Sequence, residues 1–383
     1  MTKPMPLDDF TRLPPMLTVE CVDGLAAGID QVASHAAPSH RFLRYGWFAA
    51  ALQAYGGAAR TLTVTREGEP VAALPIVRTG PGWLGLASIP GCYWPFRSFP
   101  VRGDAGVEVG EALLARLARE ATALRIGPVY DGDPGLELLR QAATARGWAV
   151  LDRFVADSYS LDIAALQAEG IWPRNSTLRK NRFHEKHLGD HGALDWSFVS
   201  GADWDEAAFD ALAEVETRSW IAARTDGSDA KFTREGHGGF WRAASADPVV
   251  AGMMWAAVLR VDGAPAAFSF DLNAGALKYA IANSYDPAFA KHSPGKLLYY
   301  RNLVRGIEDG ITTVDWGAGD SGYKRVIGAE RGPAIRDWLF VRPGLPAVGG
   351  RMLRGAWRRS GQAQPIIVTP AEVPGSNNPQ ANR

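Results

Sequence analysis

An acid, a phenol and an ammonium group fall within ten residues late in this chain: Asp315-Trp316-Gly317-Ala318-Gly319-Asp320, then Tyr323-Lys324. The strand-like run ITTVDW (311–316) delivers Asp315 near its end, and the glycines that follow let backbone approach a ligand closely. Such a set could take a proton, give one and hold developing negative charge. It could equally be structural, with Asp315 capping the turn and Lys324 paired to it. A second candidate lies just upstream. Ser293-Pro294-Gly295-Lys296-Leu297-Leu298 sits between a strand ending at Tyr285 and an apolar helix running through Leu303. Proline and glycine at a helix start leave backbone N–H groups bare, and the macrodipole adds about half a positive charge there. That makes an anion seat, or a plain capped helix.

Other motifs fail on physical grounds. Gly317-x-Gly319-x-x-Gly322 has the spacing of a dinucleotide fingerprint, but only YKRVIGA follows before Arg331-Gly332-Pro333, too short for the helix that must face a pyrophosphate. Gly319-Asp320-Ser321-Gly322 matches a serine-protease tetrapeptide without a partner histidine in a matching context. His184-Glu185-Lys186-His187 spaces its histidines at i and i+3 rather than i and i+4, and Arg182 and Lys186 would repel a cation, so no metal is expected. Gly295-Lys296 lacks the upstream glycine and the following Ser/Thr of a phosphate-binding P-loop.

Two further clusters carry a bland and a functional reading each. Arg174, Arg179, Lys180, Arg182 and Lys186 line one predicted helix. They form either a solvated face or a grip on phosphate or another anion. The loop Tyr93-Trp94-Pro95-Phe96-Arg97 could stack on a sugar ring or pack as a loop core.

The elements that must position these residues are alternating helices and strands. In the first half we expect a helix at 45–55, strands at 60–65 and 71–77, a helix at 107–124, the strand IGPVYD, a helix at 134–146 and the strand WAVLDRF. In the second we expect helices at 174–188 and 204–220, strands at 253–261, 265–272 and 276–285, then the helix from Ser293, and strands at 311–316 and 335–341. Residues 1–40 show no strong period. Gly68-Glu69-Pro70 and Gly263-Ala264-Pro265 are 195 residues apart, each preceded by a helix bearing paired aromatics and followed by a small-residue strand. This is a faint duplication. It predicts two similar α/β domains side by side, residues 1–155 and 156–342, each with a largely antiparallel sheet. Residues 343–383 read as a flexible tail with a basic helical patch around Arg351–Arg359.

The composition bounds the function. The 383 residues suit two domains, and 46% apolar with 21% charged residues is ordinary for a soluble globular protein. Lys+Arg and Asp+Glu both number 41, which argues against a protein whose main task is gripping DNA. The longest apolar run, about Val249 to Leu259, is too short to span a bilayer. MTKPMPLDDF reads as no signal peptide. Cys21 and Cys92 are the only cysteines, so we expect a reducing, cytoplasmic setting.

The stretch Gly263 to Val341 resembles the GNAT-fold acyltransferases of the CelD-like and FemAB-like group, with a BioF-type acetyltransferase domain. The resemblance rests on the strand pair around Asp262-Gly263-Ala264-Pro265-Ala266-Ala267, the loop SYDPAFAKHSPGKLL, and VDWGAGDSGYKRVIGA. The basic helix and the segment Phe42 to Val77 fit the same group more loosely. The resemblance implies tandem GNAT-like domains of α/β (α+β) class, each a mixed, largely antiparallel sheet flanked by helices. It implies an acyl-CoA donor, acetyl-CoA above all, with Ser293, Gly295, Lys296 and Leu297 at its pyrophosphate. An amine acceptor would attack the thioester directly. Asp315 would orient that amine or take its proton, Tyr323 would supply a proton or position the acceptor, and Lys324 would stabilise negative charge. Tyr285, Asp320, Arg179 and Trp94 are the expected substrate contacts. The acceptor would be a cell-envelope or exopolysaccharide precursor such as an amino sugar. Ala290-Lys291-His292-Ser293-Pro294-Gly295 keeps only the last glycine of the usual Gln/Arg-x-x-Gly-x-Gly/Ala loop. Some relatives in this branch use aminoacyl-tRNA, so that donor is the alternative, and a non-catalytic binding module is the third reading.

Overall fold

The computed structural model describes residues 16–94, 96–219, 230–319 and 323–360. The first half runs β1 (Leu17–Asp23), α1 (Gly28–Ser34), α2 (Tyr45–Tyr55), β2 (Ala59–Arg66), β3 (Glu69–Arg78), β4 (Leu86–Ser88), α3 (Val107–Glu120), β5 (Ala123–Tyr130), α4 (Pro134–Ala145) and β6 (Ala149–Asp162). The second runs α5 (Ile163–Ala168), α6 (Asn175–Gly189), β7 (Leu194–Ser200), α7 (Glu206–Arg218), α8 (Gly238–Ala244), α9 (Pro248–Met253), β8 (Met254–Val261), β9 (Ala264–Ala274), β10 (Leu277–Tyr285), α10 (Pro294–Glu308), β11 (Thr313–Ala318), α11 (Tyr323–Val326), β12 (Glu330–Val341) and α12 (Leu345–Ser360).

Local chemistry explains the boundaries. In α3, Val109, Leu113, Leu114 and Leu117 recur at helical spacing and are buried. Helix α4 starts at Pro134 because Asp133 caps it, its carboxylate accepting from Leu136 N at 2.8 Å. Gly110 lets the two helices touch, since a Cβ there would lie 2.6 Å from the Leu138 carbonyl. The β2–β3 turn holds Glu67 and Gly68 at φ 53° and 87°, and the β8–β9 turn holds Asp262 and Gly263 at φ 49° and 78°. Both are two-residue turns with positive φ at each central residue, whose twist suits a hairpin. The register breaks between Val64 and Thr65 in one hairpin and between Leu259 and Arg260 in the other, again 195 residues apart. The duplication read from the two Gly-x-Pro turns therefore extends to backbone conformation and to the bulge.

Among the described residues twelve strands join one sheet in the order β1-β2-β3-β4-β5-β12-β6-β11-β10-β9-β8-β7. The order is a near mirror about its centre. Neighbours are antiparallel except β4–β5 and β10–β11, one parallel pair per half. The halves also interlock. Strand β12, from the end of the second half, lies between β5 and β6, while β6 lies between β12 and β11. The division expected between residues 155 and 156 falls inside β6.

The duplicated aromatic helices meet where the halves adjoin. Trp47 of α2 packs edge-on to Phe240 and Trp241 of α8, with ring centroids 4.8 and 5.9 Å apart. The principal core draws on both halves, from Ile29 and Leu113 to Phe270 and Phe340. The residues read as 343–383 tail begin as a regular helix. Trp357 of α12 stacks under the Arg153 guanidinium at 4.3 Å, and Arg358 pairs with Asp152 at 2.8 Å. The flexible-tail expectation from 361 onward lies outside the described residues.

Candidate functional site

Strands β10 and β11 run parallel for only three residue pairs, ending at Tyr279 opposite Asp315. Beyond that point they part. β10 bulges at Ala280/Ala282 and follows β9 to Tyr285, while β11 turns toward β6 and pairs Ala318 with Ser158. Residues 280–283 of this central strand are half-buried or exposed. The divergence leaves backbone edges that a ligand's amides can meet, as an added strand would.

Asp315 stands at the apex. Only 7% of it is exposed, and its Oδ1 accepts from Gly317 N at 2.6 Å and from the Tyr130 hydroxyl at 3.2 Å. Burial raises its carboxyl from 3.8 to about 6, against the lowering effect of these two bonds and of the Lys324 charge. The phenols of Tyr130 and Tyr279 are pushed well above their usual value, chiefly by burial and then by the Asp315 charge. Sequence reasoning missed both tyrosines. Tyr130 comes from the first half in IGPVYD and Tyr279 from ALKYA, and each reads locally as a strand aromatic. Only the sheet order brings them to Asp315.

Lys324 has another occupation. Its Nζ donates toward the carbonyls of Trp316, Gly317, Ala318 and Gly319 at 2.8, 3.3, 3.0 and 2.7 Å. The ammonium thus organises the turn that follows Asp315. Tyr323 is the first residue of α11, and Asp320 lies outside the described residues.

Helix α10 places the second candidate. Ser293 precedes it in the left-handed region at φ 51°, with no side-chain cap. Lys296 N and Leu297 N already donate to the Ser293 carbonyl at 3.0 and 3.1 Å, and Pro294 has no N–H. Of the first turn, only the Gly295 amide remains without a backbone acceptor among the described residues. The Lys296 and Leu297 amides are thus committed within the helix, which leaves the Lys296 side chain and the Gly295 amide of the expected set. Gly295 is required by space: a Cβ would lie 2.9 Å from Asn283 Oδ1 and 3.2 Å from the Tyr285 ring. Tyr285 is therefore next to the candidate anion seat. A buried network fixes the helix. Asn302 donates to Asp271 and Ser269, both at 2.6 Å, and accepts from Trp255 Nε1 at 2.7 Å. Lys278 pairs with Asp271 at 3.2 Å in the same fully buried cluster.

The remaining expected contacts separate. Arg179, with Lys180, Arg182 and Lys186, is exposed on α6, with Arg174 just before it. Trp94 is 6% exposed and packs against Phe42, Phe96 and Tyr279 at 5.7, 4.5 and 5.1 Å. It belongs to the core and is not placed to stack on a sugar. No three His, Cys, Asp or Glu side chains among the described residues are arranged to hold a metal, and no described helix is long and apolar enough to cross a membrane.

A mixed, mainly antiparallel sheet flanked by helices, with one splayed parallel pair per half, is a tandem of GNAT-like units. Residues 175–325 match the sequence model of the acetyltransferase (GNAT) domain, in keeping with the resemblance of the second half to the CelD-like and FemAB-like group. FemX is similar over 88% of this chain and 100% of its own, at 14% identity and a TM-score of 0.54. A conserved protein of unknown function from Bacteroides thetaiotaomicron VPI-5482 is similar over 85% and 100%, at 13% identity and 0.53. These likenesses establish the fold. No curated protein matches the chain in sequence.

Proposed function

We propose that this protein moves an acyl group, acetyl in the simplest case, from coenzyme A to a primary amine, with the reacting atoms in the splay between β10 and β11. The observation that carries this reading is Asp315, a buried carboxyl raised to about 6 where the parallel strands part. A base with that affinity is charged at neutral pH yet holds a proton well enough to take one from an ammonium. The amine nitrogen then attacks the thioester carbonyl carbon. The N–C bond forms, the C–S bond breaks, and the departing thiolate takes a proton, the role assigned to Tyr323. Asp315 accepts the ammonium's proton directly or through one water and passes it to solvent, and the second proton that nitrogen loses as the C–S bond breaks restores the Tyr323 phenol. Lys324 is a positioning residue that shapes the 316–319 turn. Ser293, Gly295, Lys296, Leu297 and Tyr285 form the donor end, with the Gly295 amide and the Lys296 side chain nearest the phosphates. The second half, 156–342, carries the chemistry, and the first supplies Tyr130 and the rest of the sheet. The acceptor class is an amino sugar or another envelope or exopolysaccharide precursor. The free thiols of Cys21 and Cys92 suit a cytoplasmic location.

One observation favours a second donor. Four exposed cations on α6 with Arg174 just before it, and a helix start with a single uncommitted amide, suit a longer polyanion such as aminoacyl-tRNA. Thermal melting with and without acetyl-CoA separates the two. Ligand held only by the native state raises the melting temperature, by about 2.7 kcal/mol of added stability at a hundredfold excess over Kd. We expect a shift that Gly295→Val abolishes. No shift with acetyl-CoA, longer acyl-CoA or free CoA, together with salt-sensitive tRNA binding, overturns the coenzyme A reading.

A further inference from the structure

Helix α12 turns an apolar face away from the protein. Its inner side is held by Ala347, fully buried against Val341, and by Gly350, where a Cβ would lie 3.1 Å from Val341 Cγ2. Arg351, Arg354 and Arg358 reach back to the Gly147 carbonyl, the Val150 carbonyl and Asp152. Leu345, Val348 and Met352 follow at i, i+3 and i+7, so they share the opposite side. Leu345 is 88% exposed and Met352 81%, with Val348 and the adjoining Leu353 also exposed. Water-facing apolar side chains in a row are not needed to build this fold.

Two features say what covers the face. From Arg342 to Arg359 there are five arginines, and no acidic residue occurs between Asp337 and Glu372, in a chain whose net charge is zero. Arg359 continues the apolar row itself, about two turns beyond Met352. The second feature is Trp83, 84% exposed in the turn before β4. That turn borders the start of α12, because Thr122 N donates to Gly85 O at 2.7 Å and Arg342 N to Thr122 O at 3.0 Å. A bulky indole, aliphatic side chains and guanidinium groups on one corner match the depth profile of an anionic bilayer surface: acyl chains, interface, phosphate. A second copy of this chain fits less well, since this face offers Arg359 but no acidic side chain of its own to pair with it.

We propose that α12 and Trp83 form a peripheral docking site for anionic lipid membranes, with Leu345, Val348 and Met352 inserted and Arg359 at the phosphates. The helix lies in the interface plane and does not span. This assignment stands independently of the donor and acceptor proposed above.

The test is sedimentation of the full-length protein with vesicles of phosphatidylglycerol mixed equally with phosphatidylcholine, against phosphatidylcholine alone. We expect at least about tenfold stronger partitioning on the anionic vesicles, falling with salt. Leu345→Glu with Met352→Glu should reduce it about tenfold or more, and Arg359→Gln about fivefold. These positions are exposed, so an unchanged melting temperature certifies the variants. Brominated lipid should quench wild-type fluorescence more than that of Trp83→Phe. Equal binding to both vesicles, binding to neither, or variants that bind like wild type overturn the proposal. So does a dimer, seen by light scattering, that the double variant dissociates while vesicle binding is absent.

Discussion

The two halves of the sheet each contain a parallel strand pair that opens after three residues, and they treat the opening in opposite ways. In the first half, β4 and β5 pair from Leu86–Ala123 to Ser88–Arg125. The chain leaving β4 then turns back into the gap. Arg97 N donates to the Pro128 carbonyl at 3.2 Å, Gly127 N donates to the Arg97 carbonyl at 3.1 Å, and Trp94, Phe96 and Phe99 are buried. In the second half, the chain leaving β10 forms the short turn Pro287–His292 outside the gap and enters α10. The difference is written in loop composition. IPGCYWPFRSFP is apolar enough to gain by filling the splay, whereas DPAFAKHSPG is too polar to be drawn in. Duplication supplied two openings. The loop after β4 fills one with core aromatics, whereas the loop after β10 turns away from the other, which has a buried carboxyl at its apex.

Substitutions at matched places should separate these fates. The largest effect is expected at the splay between β10 and β11. Asp315→Asn should lower kcat by about 10²–10⁴ in an acyl-transfer assay, because the variant keeps the shape but has lost the base. If turnover persists, the second half has no more chemistry at its apex than the first. In the filled splay, Trp94→Ala should cost about 3–5 kcal/mol in urea unfolding, the range for deleting a large buried aromatic. A loss below about 1 kcal/mol would mean that the loop is a removable plug.

Lys324→Met comes next. Four carbonyls lose their cation, and about 1–3 kcal/mol of stability should go with it. A positioning role also predicts that kcat falls while the KM for donor is little changed. Loss of the nearby positive charge should move the acid limb of the pH–rate profile upward, since Lys324 now holds the Asp315 carboxyl down. An unchanged limb would leave Lys324 a purely structural residue.

The smallest effect is on stability, and its sign is opposite to that on activity. Burial raises the Asp315 carboxyl from 3.8 to about 6. The folded chain therefore keeps a proton that the unfolded chain has already released. The favourable contribution is complete below about pH 4 and disappears as pH rises through about 6. Asp315→Asn escapes this penalty. It should exceed the wild type by up to about 2 kcal/mol at pH 8 and converge with it below pH 4, as followed by urea unfolding across pH. A variant less stable than wild type at pH 8 would mean that the bonds to Tyr130 and Gly317 outweigh desolvation.

Much of the fold was legible because it rests on local rules. The periodic apolar residues of α3, the Asp133-Pro134 start of α4 and the two Gly-x-Pro hairpin turns all act within a few residues. What escaped was whatever depends on distant partners. Strand β1 alternates over Leu17 to Cys21 but is short, only half-buried on its inner face, and held as an edge by β2 alone. Strand β6 continues past WAVLDRF to Asp162 because β12 and β11 pair along both its sides. Of helix α12 only the basic patch around Arg351–Arg359 was legible, because the surface it packs on lies around Arg153, some two hundred residues earlier. The site divides likewise. Asp315 and Gly295 stood out by their neighbours in sequence. Tyr130 and Tyr279 did not, and Trp94 pointed the wrong way, since an aromatic loop reads the same whether it binds a sugar or fills a core.

By itself, the sequence determined the element types, the duplication with its paired turns, and the clustering of Asp315, Tyr323 and Lys324 beside a helix opening at Pro294. Short-range sterics, capping and hydrophobic period fix such features wherever the segment ends up. Tertiary structure alone decided that the halves interlock through β6 and β12, that the loop after β4 fills one splay while the loop after β10 turns away from the other, that a tyrosine from the first half touches the acid of the second, and that the Lys324 ammonium binds carbonyls. Each of these depends on which surfaces meet, and burial, pairing and desolvation take their values only there.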